Sequence, residues 1–205
     1  LQGDWSSDVC SSDLTECRFA LVIFALCAIA LCDPARPNIT EVFYGRGQVE
    51  FHHHDMHQFG EGHFACDQPL QKAVEAYHFD EFHQELNTYF LQRFDLHRIF
   101  DIDPKDHKEC NIRVLPSNET LPSIWAWTAV ATYKGQDVVR NKHADVWIFQ
   151  APGISLEVGM DTKDNTRPFF YARDSAQGRV VFTFDTWDAR QPAPELFEVP
   201  HVCQK

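Results

Sequence analysis

The sequence predicts a mostly β protein in which two antiparallel sheets form a sandwich or a curved half-barrel, with minor helix. Three observations lead to this fold class. From about Phe94 onward, apolar residues recur at every second position, which is the period of a half-buried strand. Polar turns such as Pro152–Gly153 and Gln177–Gly178 separate these runs without intervening helices, which favours antiparallel pairing. The apolar runs are too numerous for one thin sheet.

Composition limits the partners of the chain. The 205 residues include 30 acidic and 18 basic side chains, giving a formal net charge of -12 at pH 7. Nucleic acid and anionic membranes would repel such a chain, so neither is an expected partner. The hydrophobic content of 44%, with 17 Phe, is too high for a disordered chain. The length corresponds to about one domain with a substantial core.

The N-terminal thirty residues are not expected to belong to the fold. Residues 1–14 resemble a translated sequencing adapter, the alternative being a natural disordered tail. Residues 15–30 predict a signal peptide, because Arg18 precedes an apolar run from Phe19 to Leu31. As a helix this run would span only about 20 Å, too short for a bilayer core of about 30 Å. We therefore expect cleavage after Ala30, a secreted, extracellular domain over residues 31–205 and no transmembrane anchor; a buried N-terminal helix is the alternative.

Cysteines and glycosylation sequons agree with secretion. After the predicted cleavage site four cysteines remain, an even number that predicts two disulfides in any of three connectivities: Cys32, Cys66, Cys110 and Cys203. Cys203 is the surest participant, since it closes the chain. Two Asn-x-Thr sequons predict glycans on exposed loops at Asn38 and Asn118.

The strands can be placed in order along the chain. The segment from Asp80 to Arg93 fits either period, and we favour a loop or short helix to about Asn87 followed by a strand. Alternation then predicts strands over 94–103, 125–133, 144–148, 154–160 and 180–184. A turn is expected at Lys134–Gln136.

Two motifs resemble the ependymin family. The stretch from Tyr89 to Asp103, followed by Lys108-Glu109-Cys110, is similar to the family's apolar strand, short turn, aromatic-x-Ile-Asp step and Cys. The ending Phe197-Glu198-Val199-Pro200-His201-Val202-Cys203 resembles the family's closing Phe-x-x-Pro-x-x-Cys. The resemblance implies a fold similar to bacterial lipoprotein carriers, with two sheets cupped around an apolar pocket. It also implies a secreted glycoprotein that binds a lipid or another hydrophobic small molecule, in some members with Ca²⁺, and that has no catalytic residues.

The aromatic and aliphatic stripes are the candidate ligand-binding residues. Each lies on the apolar phase of its predicted strand and is expected to point between the sheets: Trp125, Trp127, Leu156, Val158, Phe182 and Phe184. Periodicity cannot distinguish a ligand pocket from a packed core, because both require the same side chains. The packed core therefore remains the alternative.

Two kinds of candidate metal ligand occur. In a strand, His53, Asp55 and His57 would share one face and could hold Cu²⁺ or Zn²⁺ through neutral imidazoles. A solvated histidine segment is the alternative. Acidic turns at 101–106 and at Asp161, Asp164 and Asn165 could supply oxygen ligands to Ca²⁺, although neither has the spacing of an EF-hand, and ordinary turn residues explain both.

The sequence contains no motif for nucleophilic, phosphoryl-transfer or dinucleotide chemistry, so we do not expect an enzyme. The predicted function is a secreted glycoprotein that binds a hydrophobic ligand between its sheets. The alternative is a matrix or adhesion glycoprotein that uses the β domain as a scaffold. No cofactor is demanded beyond the Ca²⁺ that the resemblance suggests, and a homodimer is left open.

Overall fold

A computed structural model of the chain describes residues 33–79, 86–102 and 109–204. The fold is that of one compact unit, Ala35–Lys205. Its strands are β1 Val42–His53, β2 Met56–Asp67, β3 Lys72–Phe79, β4 Leu86–Arg93, β5 Arg98–Ile102, β6 Cys110–Val114, β7 Thr132–Val139, β8 Lys142–Ala151, β9 Ile154–Asp161, β10 Asp164–Ser175 and β11 Gly178–Asp188. Within these residues the only helices are short 3₁₀ turns. None of them is long or apolar enough to cross a bilayer.

All eleven strands belong to one antiparallel sheet in the order β6-β5-β4-β3-β2-β1-β11-β10-β9-β8-β7. The mostly β prediction is confirmed, and the expected curved half-barrel is made of one continuous sheet where the sequence suggested two. The two sheets merge because β11 returns to pair with β1, joining the meander β1–β6 to the meander β7–β11. Ring contacts show the curvature. Phe64 of β2 and Tyr171 of β10 lie three strands apart, about 14 Å in a flat sheet, yet their ring centroids are 6.4 Å apart.

Close strand approach in the centre of the sheet depends on two glycines. A Cβ at Gly47 of β1 would overlap the carbonyl oxygen of Thr183 on β11, and one at Gly60 of β2 would overlap that of His78 on β3. Glycine in a strand interior allows such close approach and bending. The strands that carry Gly47 and Gly60 can therefore curl around what we call the inner face.

The inner face carries the larger core. Its alternating side chains include Phe43, Val49, Phe64, Val158 and Phe182, all nearly or fully buried. A long connection from Leu115 to Ala131 lies over this face and contributes Leu121 and Trp125 to the same core. On the outer face, the C-terminal segment covers β3–β5 with Phe197 and Cys203.

Two predicted strands are corrected by the structure. Residues 125–131 do not form a strand: Trp125 precedes a 3₁₀ helix at Ala126–Val130, and β7 starts at Thr132. The Thr128 amide and hydroxyl both donate to the Trp125 carbonyl, at 2.9 and 2.8 Å, which is a local alternative to strand pairing. Likewise Phe94–Leu96 is a 3₁₀ turn between β4 and β5, and His97 there adopts a left-handed φ of 50°.

The turns are mostly as predicted. The connections at Pro152–Gly153 and Gln177–Gly178 are confirmed, and both glycines have positive φ. The turn expected at Lys134–Gln136 is wrong, because β7 continues through it with a register shift at Gly135. The chain instead reverses at Arg140 and Asn141, whose φ values of 50° and 63° permit a tight hairpin. The segment 80–85, which was expected to be a loop or short helix, lies outside the described residues, and β4 begins at Leu86.

Candidate ligand cavity on the inner face

A cavity of about 550 Å³ lies at the part of the inner face that the 115–131 connection does not line. Its volume falls within the range of small-molecule sites, about 300–1,000 Å³. Apolar walls come from Phe51, Tyr77, Phe79, Phe90 and Val180. Polar groups come from Glu75, Asp101, Arg173, Ser175 and Gln177.

Strand register explains why these side chains converge. Glu75, Tyr77 and Phe79 alternate along β3 and therefore share the inner face. On the neighbouring β2, Gly62 is opposite Tyr77 and Gly60 is opposite Phe79, so β2 places no side chain between them and β1. The Phe51 ring of β1 then lies only 6.4 Å from that of Phe79, centroid to centroid. Because Gly60 and Gly62 have no side chains, β2 leaves space beside this aromatic wall.

A charged cluster faces the same cavity. Glu75 of β3 and Arg173 of β10 are four strand positions apart in the sheet, but curvature brings them close enough to interact. The Glu75 carboxylate raises the pKa of the Arg173 guanidinium, against the opposing effect of burial. Burial, with the negative charge and hydrogen bond of Glu75, raises the pKa of the Tyr77 hydroxyl well above its ordinary range. Tyr77 therefore remains a neutral phenol at physiological pH.

One further polar atom lies beside this wall. Gln58 is opposite Phe51 in the β1–β2 register and is 6% exposed. Its Oε1 atom is buried and has no hydrogen-bond partner among the described residues. Buried acceptors usually have a partner, so this atom is an exception within the described residues, although Gln58 does not itself line the cavity.

The six predicted ligand-binding residues lie elsewhere. All belong to the core of the inner face: Trp125, Val158, Phe182 and Phe184 are buried, and Trp127 and Leu156 are half-buried. None of the six lines the cavity. Their inward direction is as predicted, but the 115–131 connection, to which Trp125 and Trp127 themselves belong, fills the space in front of the sheet. The packed-core alternative describes them.

The predicted metal trio is not brought together. His54 and Asp55 form the hairpin turn, so Asp55 does not continue the strand face that His53 and His57 would have shared with it. His53 contacts His54 and Phe51. His57 instead stacks on His52 across the hairpin, with ring centroids 3.8 Å apart, and lies near Glu50.

The structure forms one disulfide, between Cys110 and Cys203. It joins β6 to the C-terminal segment over 93 residues. The prediction that Cys66 is disulfide-bonded is wrong in this structure, because Cys66 is a free thiol with no exposed surface, on β2 within the inner core. Burial, together with the negative charges of Glu41 and Asp67, raises the pKa of this thiol. Cys32 lies outside the described residues, as do the adapter-like and signal segments.

The remaining predicted sites are the two glycosylation sequons and the two acidic clusters. Asn38 and Asn118 are both exposed, as a glycan acceptor must be. Asp161 and Asp164 accept hydrogen bonds within their own turn, from the backbone of Lys163 and Thr166 respectively. These bonds correspond to the turn-residue alternative for the second acidic cluster. In the first cluster, Asp101 lines the cavity, and residues 103–106 lie outside the described part of the chain.

Sequence reasoning missed the wall of this cavity because it did not assign β3. A signal was present in the run from Ala73 to Phe79, where Glu75 interrupts an alternating apolar phase that continues with Tyr77 and Phe79. An acid on the buried phase of a strand needs a partner or solvent. That partner, Arg173, is 98 positions away in the chain, so no local pattern could identify it.

Comparisons with known proteins identify no family by sequence: no family model matches the chain, and no curated protein matches it. Among solved structures, the chain is similar to an uncharacterized conserved protein from Thermus thermophilus, with a TM-score of 0.48 and 7% identity over 89% of this chain and 95% of that one. It is also similar to a chain of the Pseudomonas aeruginosa MucA/MucB complex, with a TM-score of 0.43 and 12% identity. That match covers 80% of this chain and 58% of the other. A LolA-superfamily protein from Nitrosomonas europaea gives a TM-score of 0.37 and 8% identity over 78% and 90% of the two chains.

Of these three neighbours, one is described as a LolA-superfamily protein and one comes from the MucA/MucB complex, and none is described as an ependymin. The ependymin resemblance therefore remains a resemblance of two short motifs.

Proposed function

We propose that this protein is a secreted, non-enzymatic carrier that binds an amphipathic, lipid-like molecule in the inner-face cavity. The observation that carries the proposal is the combination, in one cavity of about 550 Å³, of an aromatic wall with a half-buried pair of charges, Glu75 and Arg173. An apolar tail would lie against Phe51, Phe79 and Phe90, and each methylene removed from water there contributes roughly 0.8 kcal/mol. A polar head would meet Arg173 and Tyr77.

The charged cluster supports an amphiphile over a purely apolar ligand. Arg173 offers several N–H donors in a planar fork, a geometry that suits a carboxylate or phosphate head. Glu75 shares this guanidinium and would also accept a hydrogen bond from a hydroxyl or amide on the ligand. A wholly hydrocarbon ligand would remove water from these groups without offering them a hydrogen bond, which is unfavourable.

Secretion and glycosylation are part of the proposal. The apolar run before Ala30, the exposed sequons at Asn38 and Asn118, and the disulfide between Cys110 and Cys203 support an extracellular protein. A calcium link remains a proposal from the family resemblance alone.

The test uses the full chain purified from a secreting host. Native mass spectrometry would examine the protein for a co-purified amphiphile, and titration with a fluorescent long-chain fatty acid would measure uptake. Val180→Trp fills the cavity from β11 and should weaken uptake by at least about tenfold. Val138→Trp is the matched control, since Val138 is 54% exposed on β7 and outside the cavity.

Recovery of no amphiphile together with no fatty-acid uptake would contradict the carrier. So would undiminished uptake by a folded Val180→Trp variant. Arg173→Gln distinguishes the contribution of the ligand's polar head from that of its apolar tail. It should weaken binding of a fatty acid more than binding of the corresponding fatty alcohol.

A further inference from the structure

The outer face of the β1–β2 hairpin ends in a cluster of three ligand-type side chains. Glu50 and His52 lie two residues apart on β1, and His57 of β2 is directly opposite His52 in the register. Residues two apart in a strand share a face, and directly opposed residues do so as well. The hairpin backbone therefore holds one carboxylate and two imidazoles next to one another before any ion is bound.

The distances within this cluster approach those of a metal site. One atom from each side chain can be chosen so that all three lie within 4.8 Å of one another. Glu50 Oε2 is 3.5 Å from His52 Nε2 and 3.8 Å from His57 Nε2. Zinc bonds of about 2.0–2.1 Å in tetrahedral geometry place ligand atoms roughly 3.3 Å apart. The longest of these distances would have to shorten by up to about 1.5 Å, which rotation about the side-chain torsions can supply because these side chains are 30–45% exposed.

The neighbouring groups do not obstruct a cation. Arg179 of β11 is paired with His52 in the register, but its guanidinium points to Glu157 at 2.8 Å and Asp174 at 3.9 Å. On the β2 side the Phe59 ring contacts His57, with centroids 4.3 Å apart, and limits the directions that this imidazole can take.

We propose that Glu50, His52 and His57 form a Zn²⁺ site with three protein ligands and a remaining position open to water or a small ligand. Two imidazoles and one carboxylate suit Zn²⁺ and Cu²⁺ and do not suit Ca²⁺, which requires six to eight oxygen ligands. The site clamps the two strands at the end of the hairpin. It lies on the outer face of the segment of β1 whose inner face presents Phe51 to the cavity.

Isothermal titration of the untagged, full chain with Zn²⁺ tests the site. The wild type should bind one ion with a dissociation constant in the micromolar range. His52→Ala/His57→Ala should weaken binding on the order of a hundredfold, and Glu50→Gln on the order of tenfold. His53→Ala/His54→Ala is the matched control: it removes two histidines of the same hairpin that lie outside the cluster, and it should retain binding.

Circular dichroism of each variant without metal establishes that it is folded. Zn²⁺ should raise the melting temperature of the wild type and of the control, and should leave that of the His52→Ala/His57→Ala variant unchanged. Equal zinc binding by this variant and the wild type would overturn the site, and so would loss of binding in the control. An excess of Ca²⁺ should not displace the zinc.

Discussion

The inner face of this sheet has two halves built from the same alternating sequence pattern, one packed and one open. In the packed half, the Phe43 ring stacks on Trp187 with centroids 4.5 Å apart and lies 5.9 Å from Trp125 of the covering connection. In the open half, Phe51, Phe79 and Phe90 surround a cavity that contains charges. Apolar residues at every second position predict an inward direction in both halves. Whether a segment covers the sheet decides which half is core and which is cavity.

The hydrogen bonds that attach the 115–131 connection to the sheet show how the difference between the two halves arises. The Glu41 carboxylate accepts hydrogen bonds from the backbone amides of Ile124 and Trp125, each at 3.0 Å, and from the Ser123 hydroxyl. At the other end of the connection, the Arg36 guanidinium donates a hydrogen bond to the backbone carbonyl oxygen of Ala131 at 2.8 Å. Within the described residues, no comparable connection lines the cavity.

Trp125→Ala is expected to have the largest effect on stability. The side chain is 2% exposed and contacts Phe43, Tyr171 and Trp187, so its removal leaves a void in a rigid core. The free energy of unfolding should fall by about 3–5 kcal/mol. Urea unfolding measures this change, and fatty-acid affinity per folded molecule should stay as in the wild type. A stable variant that no longer takes up ligand would reverse the assignment of the two halves.

Glu41→Ala should release the 115–131 connection from the packed half of the inner face. It leaves two backbone amides without their charged acceptor, and hydrogen bonds to charged groups contribute about 1.5–3 kcal/mol. We expect a loss of about 2 kcal/mol and faster amide hydrogen exchange at Ile124 and Trp125. Glu61→Ala is the control, because the Glu61 side chain is 69% exposed and pairs only at the surface with Arg46. Equal losses in the two variants would mean that Glu41 does not anchor the connection.

Phe90→Ala should separate ligand binding from stability in the open half. Phe90 is half-buried and faces open space at the cavity, so the loss should be about 1–2 kcal/mol, below the range for a fully buried ring. Fatty-acid affinity should fall several-fold, which titration of the folded variant would show. The opposite result, a large loss of stability with normal affinity, would make Phe90 a core residue like Trp125.

Glu157→Gln should give the smallest effect, and one that depends on pH. Burial favours a higher pKa for Glu157, but hydrogen bonds from Arg179 at 2.8 Å and Lys134 at 3.0 Å outweigh it and hold the pKa below the ordinary 4.5. A carboxyl group whose pKa is lower in the folded state than in the unfolded state stabilises the fold at pH values above the unfolded-state pKa. This stabilisation is lost as the pH falls through the folded-state pKa. The variant should be less stable than wild type by about 1 kcal/mol at about pH 7.

Urea midpoints at about pH 7 and about pH 3 check this expectation, since the difference between the two proteins should shrink on acidification. A difference that is constant with pH would show that the ion pairs across β9, β7 and β11 contribute nothing measurable.

Local sequence predicted much of the sheet and little of the site. The alternation in 144–148, 154–160 and 180–184 is enough to predict β8, β9 and β11, because the alternating apolar positions of each strand include fully buried side chains. The same reasoning failed at Trp125 and Trp127. Their spacing is that of a strand, but Glu41 accepts a hydrogen bond from the Trp125 amide and Thr128 donates to the Trp125 carbonyl, and these bonds favour the 3₁₀ helix that begins at Ala126.

The sequence by itself determined the mostly β class, the direction of the inner aromatic side chains and the participation of Cys203 in a disulfide. Only the tertiary structure decided that Cys110 is its partner, that Glu75 meets Arg173, and that His57 joins Glu50 and His52. Period and residue type are local properties, so a strand's buried phase can be read from a few residues. These pairings depend on strand register and sheet curvature, which arise from contacts between residues distant in the chain.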